Sequence, residues 1–152
     1  MNLLNKLFDK RSPVPLDERQ INLVRQSYEQ ISLHSDRVGE LFYKNLFDLD
    51  PSLKNLFSGD MSQQQRKLMH MLDTAVKGLE DLDELLPSVS QLGKRHNGYG
   101  VKPEHFSMVG AALLNSIETE LDEQWTVDLA ESWTSFYTLL AVTMQAEMAK
   151  AA

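Results

Sequence analysis

The sequence predicts an all-α fold. From Leu16 onward, apolar residues recur at intervals of three or four, which is the period of an α-helix with one buried face. No run of alternating apolar and polar residues is bounded by turn residues, so no strand is predicted. The chain has only seven glycines and five prolines among its 152 residues, and this composition also favours helix.

The predicted helices of the first half follow one another with short breaks. The first opens at Leu16–Asp17, and the second follows Ser35–Asp36, which we expect to cap it. Pro51 begins a short helix, because proline is tolerated in a first turn. Ser62 is the expected cap of the next helix, which runs to about Leu79. The residues predicted to face inward are Ile21, Val24, Tyr28, Ile31, Val38, Leu41, Phe42, Leu46, Phe47, Leu68, Leu72, Ala75, Val76 and Leu79.

Three more helices are predicted in the second half. One covers Leu85–His96 and is ended by Gly98 and Gly100; Pro103 opens the next, and the last begins near Thr126. Their inward residues are Leu85, Val89, Leu92, Phe106, Val109, Leu113, Ile117, Leu121, Leu129, Trp133, Phe136, Tyr137, Leu140 and Met144. The total is about six long helices and one short one, with no linker long enough to separate two domains.

Composition excludes several classes of function. The absence of cysteine excludes disulfides, thiolate metal sites and a cysteine nucleophile. Fifteen basic and 22 acidic side chains give a net charge of −7, which argues against nucleic acid as a partner. No stretch reaches the roughly 20 apolar residues of a membrane span, so no membrane partner is expected. Residues 1–15 are expected to be an N-terminal extension that lacks the features of a signal peptide, so a cytoplasmic location is expected.

Common catalytic motifs do not occur in the sequence. The glycine-containing motifs of dinucleotide-binding proteins, P-loop proteins and hydrolases with a nucleophile elbow are missing. The four histidines are never four residues apart, so no zinc helix of the HExxH type is present. No histidine follows a glutamate by three residues, which excludes a di-iron bundle.

His96 differs from the other histidines in its position on a helix. Leu85, Val89, Leu92 and His96 are separated by four, three and four residues, so His96 continues an apolar face into the last turn. Such a residue is either a hydrogen-bonded core histidine or an imidazole that reaches into a cavity and ligates a metal or haem. Periodicity does not separate these two interpretations.

A second apolar face carries one polar residue. Gln64 shares a face with Leu68, Leu72 and Ala75, and Tyr43 lies in the apolar second helix. Two neutral hydrogen-bond donors beside an aliphatic wall would suit a small polar ligand in a dry cavity. The alternative interpretation is a surface glutamine and an interface tyrosine.

Around these residues, the chain resembles the globin family, and the resemblance extends over Leu16–Met148. The segments that carry the resemblance are LFYKNLFDLDPSLKNLF, QQQRKLMHMLDTAVKGLEDLDELLPSV, LGKRHNGYGVKPEHFSMVGAALL and AESWTSFYTLLAVTM. It is closest to bacterial single-domain globins and the globin domains of flavohaemoglobins, with neuroglobin-like features in LGKRH and GVKPEHFSMVG. It implies a globin domain at residues 16–150, with about six to eight helices in three-over-three packing around haem.

The resemblance also implies the roles of individual residues. The cofactor would be haem b, with His96 as the proximal iron ligand and its Nδ1–H donated to a backbone carbonyl one turn earlier, that of Leu92. Tyr43 and Gln64 match the distal positions that contact a bound gas. The residues that match contacts to the porphyrin or its edge are Phe57, Lys67, Leu68, Val101 and Phe106.

Three departures from relatives bear on the expected activity. Flavohaemoglobins carry a reductase domain, whereas this chain ends at Ala152, so a separate reductase is the expected partner. They also bond the proximal imidazole through a tyrosine and a glutamate. Phe106 occupies the tyrosine's place, and the glutamate's place falls near Met148, beside Glu147. Gln64 instead of a distal histidine argues against a resting state with two histidine ligands.

The expected ligands are O₂, NO and CO. Hydrogen bonds from Tyr43 and Gln64 would hold O₂ tightly, which suits dioxygenation of NO to nitrate better than oxygen delivery. The alternatives are reversible O₂ storage or supply, and a haem-based sensor that acts through a partner. The oligomeric state is left open by the sequence.

Overall fold

The described part of the chain is built from helices. The computed structural model describes residues 16–57, 59–97 and 101–150, except for the side chain of Asn97, and these ranges contain no strand, so the predicted all-α class is confirmed. The α-helices are α1 (Glu18–Ser32), α2 (Ser35–Leu49), α3 (Met61–Lys77), α4 (Leu82–Asn97), α5 (His105–Leu121) and α6 (Val127–Lys150). Short 3-10 helices cover Pro51–Leu56, Gly78–Glu80 and Asp122–Gln124. The extension predicted at residues 1–15 and the stop predicted at Gly98 and Gly100 lie outside the described residues. None of the described helices has both the length and the apolar character needed to span a membrane.

Aspartate side chains cap α1 and α3. Asp17 precedes α1 as predicted, and its Oδ1 accepts a hydrogen bond of 2.8 Å from the backbone N–H of Gln20. The predicted cap of α3, Ser62, is wrong. Asp60 is the cap, and its Oδ1 accepts a hydrogen bond of 2.9 Å from the backbone N–H of Ser62.

Helices α2 and α4 begin earlier than predicted. His34 occupies the N-cap position of α2 without a side-chain hydrogen bond to the cap, so Ser35 is already helical. Helix α4 begins at Leu82 rather than Leu85, because Asp81 Oδ1 accepts a hydrogen bond of 3.3 Å from the backbone N–H of Glu84. Pro87 therefore lies inside α4, near its beginning.

The long helix α6 forms the centre of the core. Its most extensive interface is with α4, and it also packs along α1 and α5, while α2 packs on α5. Trp133 and Phe136 of α6 have no exposed surface, and their rings meet edge to face with centroids 5.6 Å apart. Trp133 Nε1 donates a hydrogen bond of 2.9 Å to Ser27 Oγ of α1. This core holds α4 in place from one side.

Helices α3 and α4 follow each other in the chain but pack on different partners. Helix α3 lies against α2, and a Cβ added to Gly39 of α2 would come within 3.2 Å of Gln65 Cβ. Helix α4 lies against α6. Within the described residues, α3 and α4 make at most marginal contact with each other. The two helices therefore do not pack on each other, and the region between them is called the cleft.

Candidate functional site

His96 is held at the cleft by the helix that carries it. The predicted apolar face of α4 is buried at Leu85 and Val89 and half-buried at Leu92 and His96, so its burial decreases toward the end of the helix. His96 Nδ1 lies 2.7 Å from the carbonyl oxygen of Leu92. Because a carbonyl oxygen only accepts, Nδ1 carries the proton, and the lone pair of the neutral imidazole is on Nε2. The predicted contact with Leu92 is present, and it sets the tautomer that a metal-ligating histidine needs.

Tyr43 of α2 lies within a cluster of aromatic rings and contacts Gln64 of α3. Its ring meets Phe42 and Phe57 edge to face, with centroids 4.9 and 5.4 Å away, and Phe47 lies 5.9 Å away. Only 7% of Tyr43 is exposed. Burial raises the pKa of the Tyr43 phenol to about 12, so the hydroxyl remains a hydrogen-bond donor throughout the neutral range.

The hydroxyl of Tyr43 contacts the backbone of Gln64. It donates to the backbone carbonyl oxygen of Gln64 at 3.5 Å. The expected face of α3 is confirmed: Gln64 and Leu68 are half-buried, and Leu72 and Ala75 are buried. A contact of 3.5 Å is at the long limit of hydrogen bonding, so it restrains the Tyr43 hydroxyl only weakly.

The other residues expected to contact a cofactor differ in exposure. Phe57 and Val101 are half-buried, Lys67 is exposed, and Phe106 is buried in the first turn of α5. The carbonyl oxygen of Phe106 accepts a hydrogen bond of 2.6 Å from the buried hydroxyl of Tyr137. The sequence predicts Tyr137 in the core, but it does not predict this contact. The hydroxyl of a buried tyrosine usually forms a hydrogen bond with a nearby polar group, so a partner for Tyr137 could be expected. The sequence does not show which group that partner is.

The remaining histidines have other roles. His70 lies on the opposite face of α3, where it lines a cavity of about 560 Å³ with Tyr28 and Asp73. His34 Nε2 lies 3.8 Å from Glu120 Oε1. His105 Nδ1 accepts a hydrogen bond of 3.0 Å from the backbone N–H of Lys102, just before α5. His96 is therefore the histidine that the fold brings to the cleft.

Glu147 pairs with lysines in the structure. Its carboxylate lies 3.5 Å from Lys94 Nζ on α4 and 3.6 Å from Lys150 Nζ on α6. The adjacent Met148 is buried. The negative charge of Glu147 is therefore partly compensated by lysine ammonium groups beside α4.

The residues around the cleft fit haem. Among the described residues, no three His, Asp or Glu side chains come together as a metal site, so His96 suits a metal that already has other ligands. Half-buried apolar side chains lie on or beside both helices of the cleft. They are Phe57, Leu68, Leu92 and Val101. A single imidazole beside such a surface is the donor set that suits iron held in a porphyrin.

Comparison with known sequences agrees with this chemistry. The model of the Globin family matches residues 40–144. Neuroglobin-1 of Oncorhynchus mykiss is 32% identical over 151 residues, which cover 89% of this chain and 94% of that protein. The flavohemoprotein of Bacillus subtilis is 28% identical over 129 residues, which cover 83% of this chain but only 32% of that protein.

Solved structures share the fold. A hexacoordinated heme protein from an anhydrobiotic tardigrade superposes with a TM-score of 0.82 at 17% identity, covering 90% of this chain and 97% of that one. An engineered carbene transferase, described as a putative nitric oxide dioxygenase from Rhodothermus marinus, gives a TM-score of 0.81 at 24% identity, with coverages of 90% and 96%. The predicted globin fold is confirmed. The chain belongs to the globin family.

Proposed function

We propose that this globin binds haem b through Nε2 of His96 and holds O₂, NO or CO on the side of the cleft lined by Tyr43, Gln64 and Leu68. The observation that carries the proposal is the 2.7 Å contact between His96 Nδ1 and the Leu92 carbonyl. That contact keeps the proton on Nδ1 and presents the lone pair on Nε2. The family and the haem-protein neighbours support the choice of cofactor.

When bound, haem supplies the iron at which the gas is held and through which electrons pass. The protein supplies the surroundings. Phe57, Leu68 and Val101 exclude water from the faces of the cofactor, and the exposed ammonium group of Lys67 is available to a propionate at its edge.

Tyr43 is the main hydrogen-bond donor to the gas in this proposal. Its hydroxyl leaves only a 3.5 Å contact with Gln64 when it turns toward a ligand, while the surrounding rings keep the phenol in place. The amide N–H of Gln64 is a second donor. Because O₂ held at the site carries partial negative charge and CO carries little, the two donors favour O₂ over CO.

Replacing Tyr43 with phenylalanine is expected to speed O₂ release by about 10- to 100-fold. A hydrogen bond to a charged group contributes roughly 1.5–3 kcal/mol, and each 1.4 kcal/mol is about tenfold in affinity. Stopped-flow displacement of O₂ by CO measures the rate, and CO release should change much less. Tyr28→Phe is the matched control, because it removes another buried phenol hydroxyl, next to Asp73 on the opposite side of α3. An O₂ release rate that Tyr43→Phe leaves unchanged would contradict the role of Tyr43.

We further propose that the activity is NO dioxygenation. In this reaction NO, O₂ and one electron give nitrate, and a separate reductase supplies the electron. Slow O₂ release suits a protein that keeps O₂ until NO arrives, and flavohaemoprotein relatives add indirect support for a reductase. A cytoplasmic location and a globin domain at residues 16–150 remain predictions of the sequence.

Rapid mixing of the O₂-loaded protein with NO tests this activity. The expected result is one nitrate per bound O₂ within the mixing time, and repeated turnover once a flavin reductase and NADH are added. If nitrate forms slowly and O₂ dissociates faster than it reacts, reversible O₂ storage or supply replaces this proposal. Capture of a protein partner that depends on O₂, without nitrate formation, would favour a sensor.

A further inference from the structure

Gly93 brings the backbones of α4 and α6 into direct contact. Gly93 is buried, and a Cβ added to it would lie 2.7 Å from the carbonyl oxygen of Met144 and 2.9 Å from Met144 Cα. Both atoms belong to the backbone of α6, so no change of side-chain rotamer relieves such a clash. Any larger residue at position 93 must move α4 away from α6.

The contact with α6 determines where α4 lies. The interface between α4 and α6 is the most extensive in the described part of the chain, whereas α3 gives α4 at most marginal support. Among the described elements, only the short 3-10 helix Gly78–Glu80 gives α4 further substantial contact. A displacement of α4 from α6 would therefore meet little resistance from these other elements.

One of the residues that flank Gly93 couples this contact to His96. Leu92, directly before it, accepts the hydrogen bond of 2.7 Å from His96 Nδ1. Lys94, directly after it, pairs with Glu147 of α6 at 3.5 Å. The imidazole is thus tied to the same turn of α4 that touches Met144, and the ring moves with that turn.

We propose that Gly93 is a positioning residue for the proximal histidine. The close approach that its hydrogen side chain allows sets the distance of α4 from α6, and through the Leu92 carbonyl it sets the position of His96 Nε2 relative to the cleft. This inference rests on the proposed ligation of haem by His96. The role depends on the backbone contact of Gly93 and not on the neighbouring salt bridge. The lysine of the Lys94–Glu147 pair is exposed, so this salt bridge contributes little to the position of α4.

Gly93→Ala is expected to shift the iron–histidine stretching band of the ferrous protein in resonance Raman spectra and to speed haem transfer to apomyoglobin about tenfold. Groups that only orient a ligand typically change metal affinity by about 10- to 100-fold. Met144→Ala is the matched control: it destabilises the same crossing by truncating a buried side chain, but leaves the backbone contact intact. Lys94→Gln tests the salt bridge. Both control variants should keep the wild-type band position.

Two results would overturn the role of Gly93. One is a folded Gly93→Ala protein with wild-type band position and haem transfer; the other is an equal shift in Met144→Ala. If Gly93→Ala does not fold, hydrogen exchange of the wild-type protein decides: residues 89–96 should be among the well-protected amides, and fast exchange there would refute the proposal. A separate variant tests whether His96 ligates haem at all. If His96 is not the ligand, His96→Ala will retain haem, whatever the result for Gly93→Ala.

Discussion

Replacing His96 with alanine is expected to abolish stable haem binding while the helices remain folded. The variant loses the imidazole that we propose to hold the iron, together with the hydrogen bond that its Nδ1 donates to the Leu92 carbonyl. Haem should then leave more than about a hundredfold faster, since groups that merely orient a ligand already contribute about 10- to 100-fold. Absorption spectra and transfer of haem to apomyoglobin measure the loss, and far-ultraviolet circular dichroism checks the fold.

Two further variants separate ligation from general damage near the cofactor. His70→Ala removes an exposed histidine from the opposite face of α3 and should leave haem binding unchanged. His96→Gly should regain a haem spectrum when imidazole is added, because the free base can occupy the space of the side chain. A His96→Ala protein that holds haem as firmly as the wild type would refute the assignment, and loss of haem in His70→Ala would point to a second ligand.

Among the charged pairs of the described residues, the largest effect on stability is expected at the one formed by Arg37 of α2 and Glu120 of α5. Only 2% of the Glu120 side chain is exposed, and its Oε2 accepts hydrogen bonds from Arg37 Nε at 2.9 Å and Nη2 at 2.6 Å. Within the described residues, Glu120 Oε1 is buried without a hydrogen-bond partner. The guanidinium group is therefore the main compensation for a charge that folding removes from water.

Arg37→Met is expected to lower the free energy of unfolding by about 2 kcal/mol. Removing one partner of a fully buried ion pair costs about 3–5 kcal/mol, and the effect is smaller here because 61% of the Arg37 side chain is exposed to solvent. Urea unfolding of the haem-free protein measures the change. Adding Glu120→Gln to Arg37→Met should restore part of the loss, since the buried group is then neutral.

Arg25→Met provides the matched control for Arg37→Met. Arg25 pairs with Glu80, and both side chains of this pair are exposed, so its loss should cost less than about 1 kcal/mol. Equal losses of stability in the two arginine variants would show that the burial of Glu120 has no energetic consequence.

The sequence predicts best the features that depend on neighbouring residues. The hydrogen bond from His96 to Leu92 joins residues four apart on one helix, and Asp17 caps a helix that begins at the next residue. The faces of α3 and α4 follow from periodicity in the same way. Where local signals compete, the outcome is less predictable: both Asp60 and Ser62 are suitable caps, and Asp60 is the one used.

Contacts between distant segments were not predictable from the pattern. From the sequence alone, Gly93 is an ordinary helical glycine and Glu120 is a surface residue. Their roles become visible only when the fold brings Met144 next to Gly93 and Arg37 next to Glu120. The contact of the Tyr43 hydroxyl with the backbone carbonyl of Gln64 is a further contact of this kind. Periodicity identifies the face of a helix that points inward, but it does not distinguish the backbone from the side chain as the partner.

The fact that α3 and α4 do not pack on each other has a consequence for the amount of this protein in a cell. A cofactor that binds between the two helices joins them through itself, and binding to the folded state alone stabilises that state by mass action. If haem binds there as proposed, chains made when haem is scarce would keep half-buried Leu68, Leu92 and Val101 without that covering, and we expect them to be better substrates for proteases. The lifetime of the chain would then follow the haem supply, so its abundance would report cofactor status as well as gene expression.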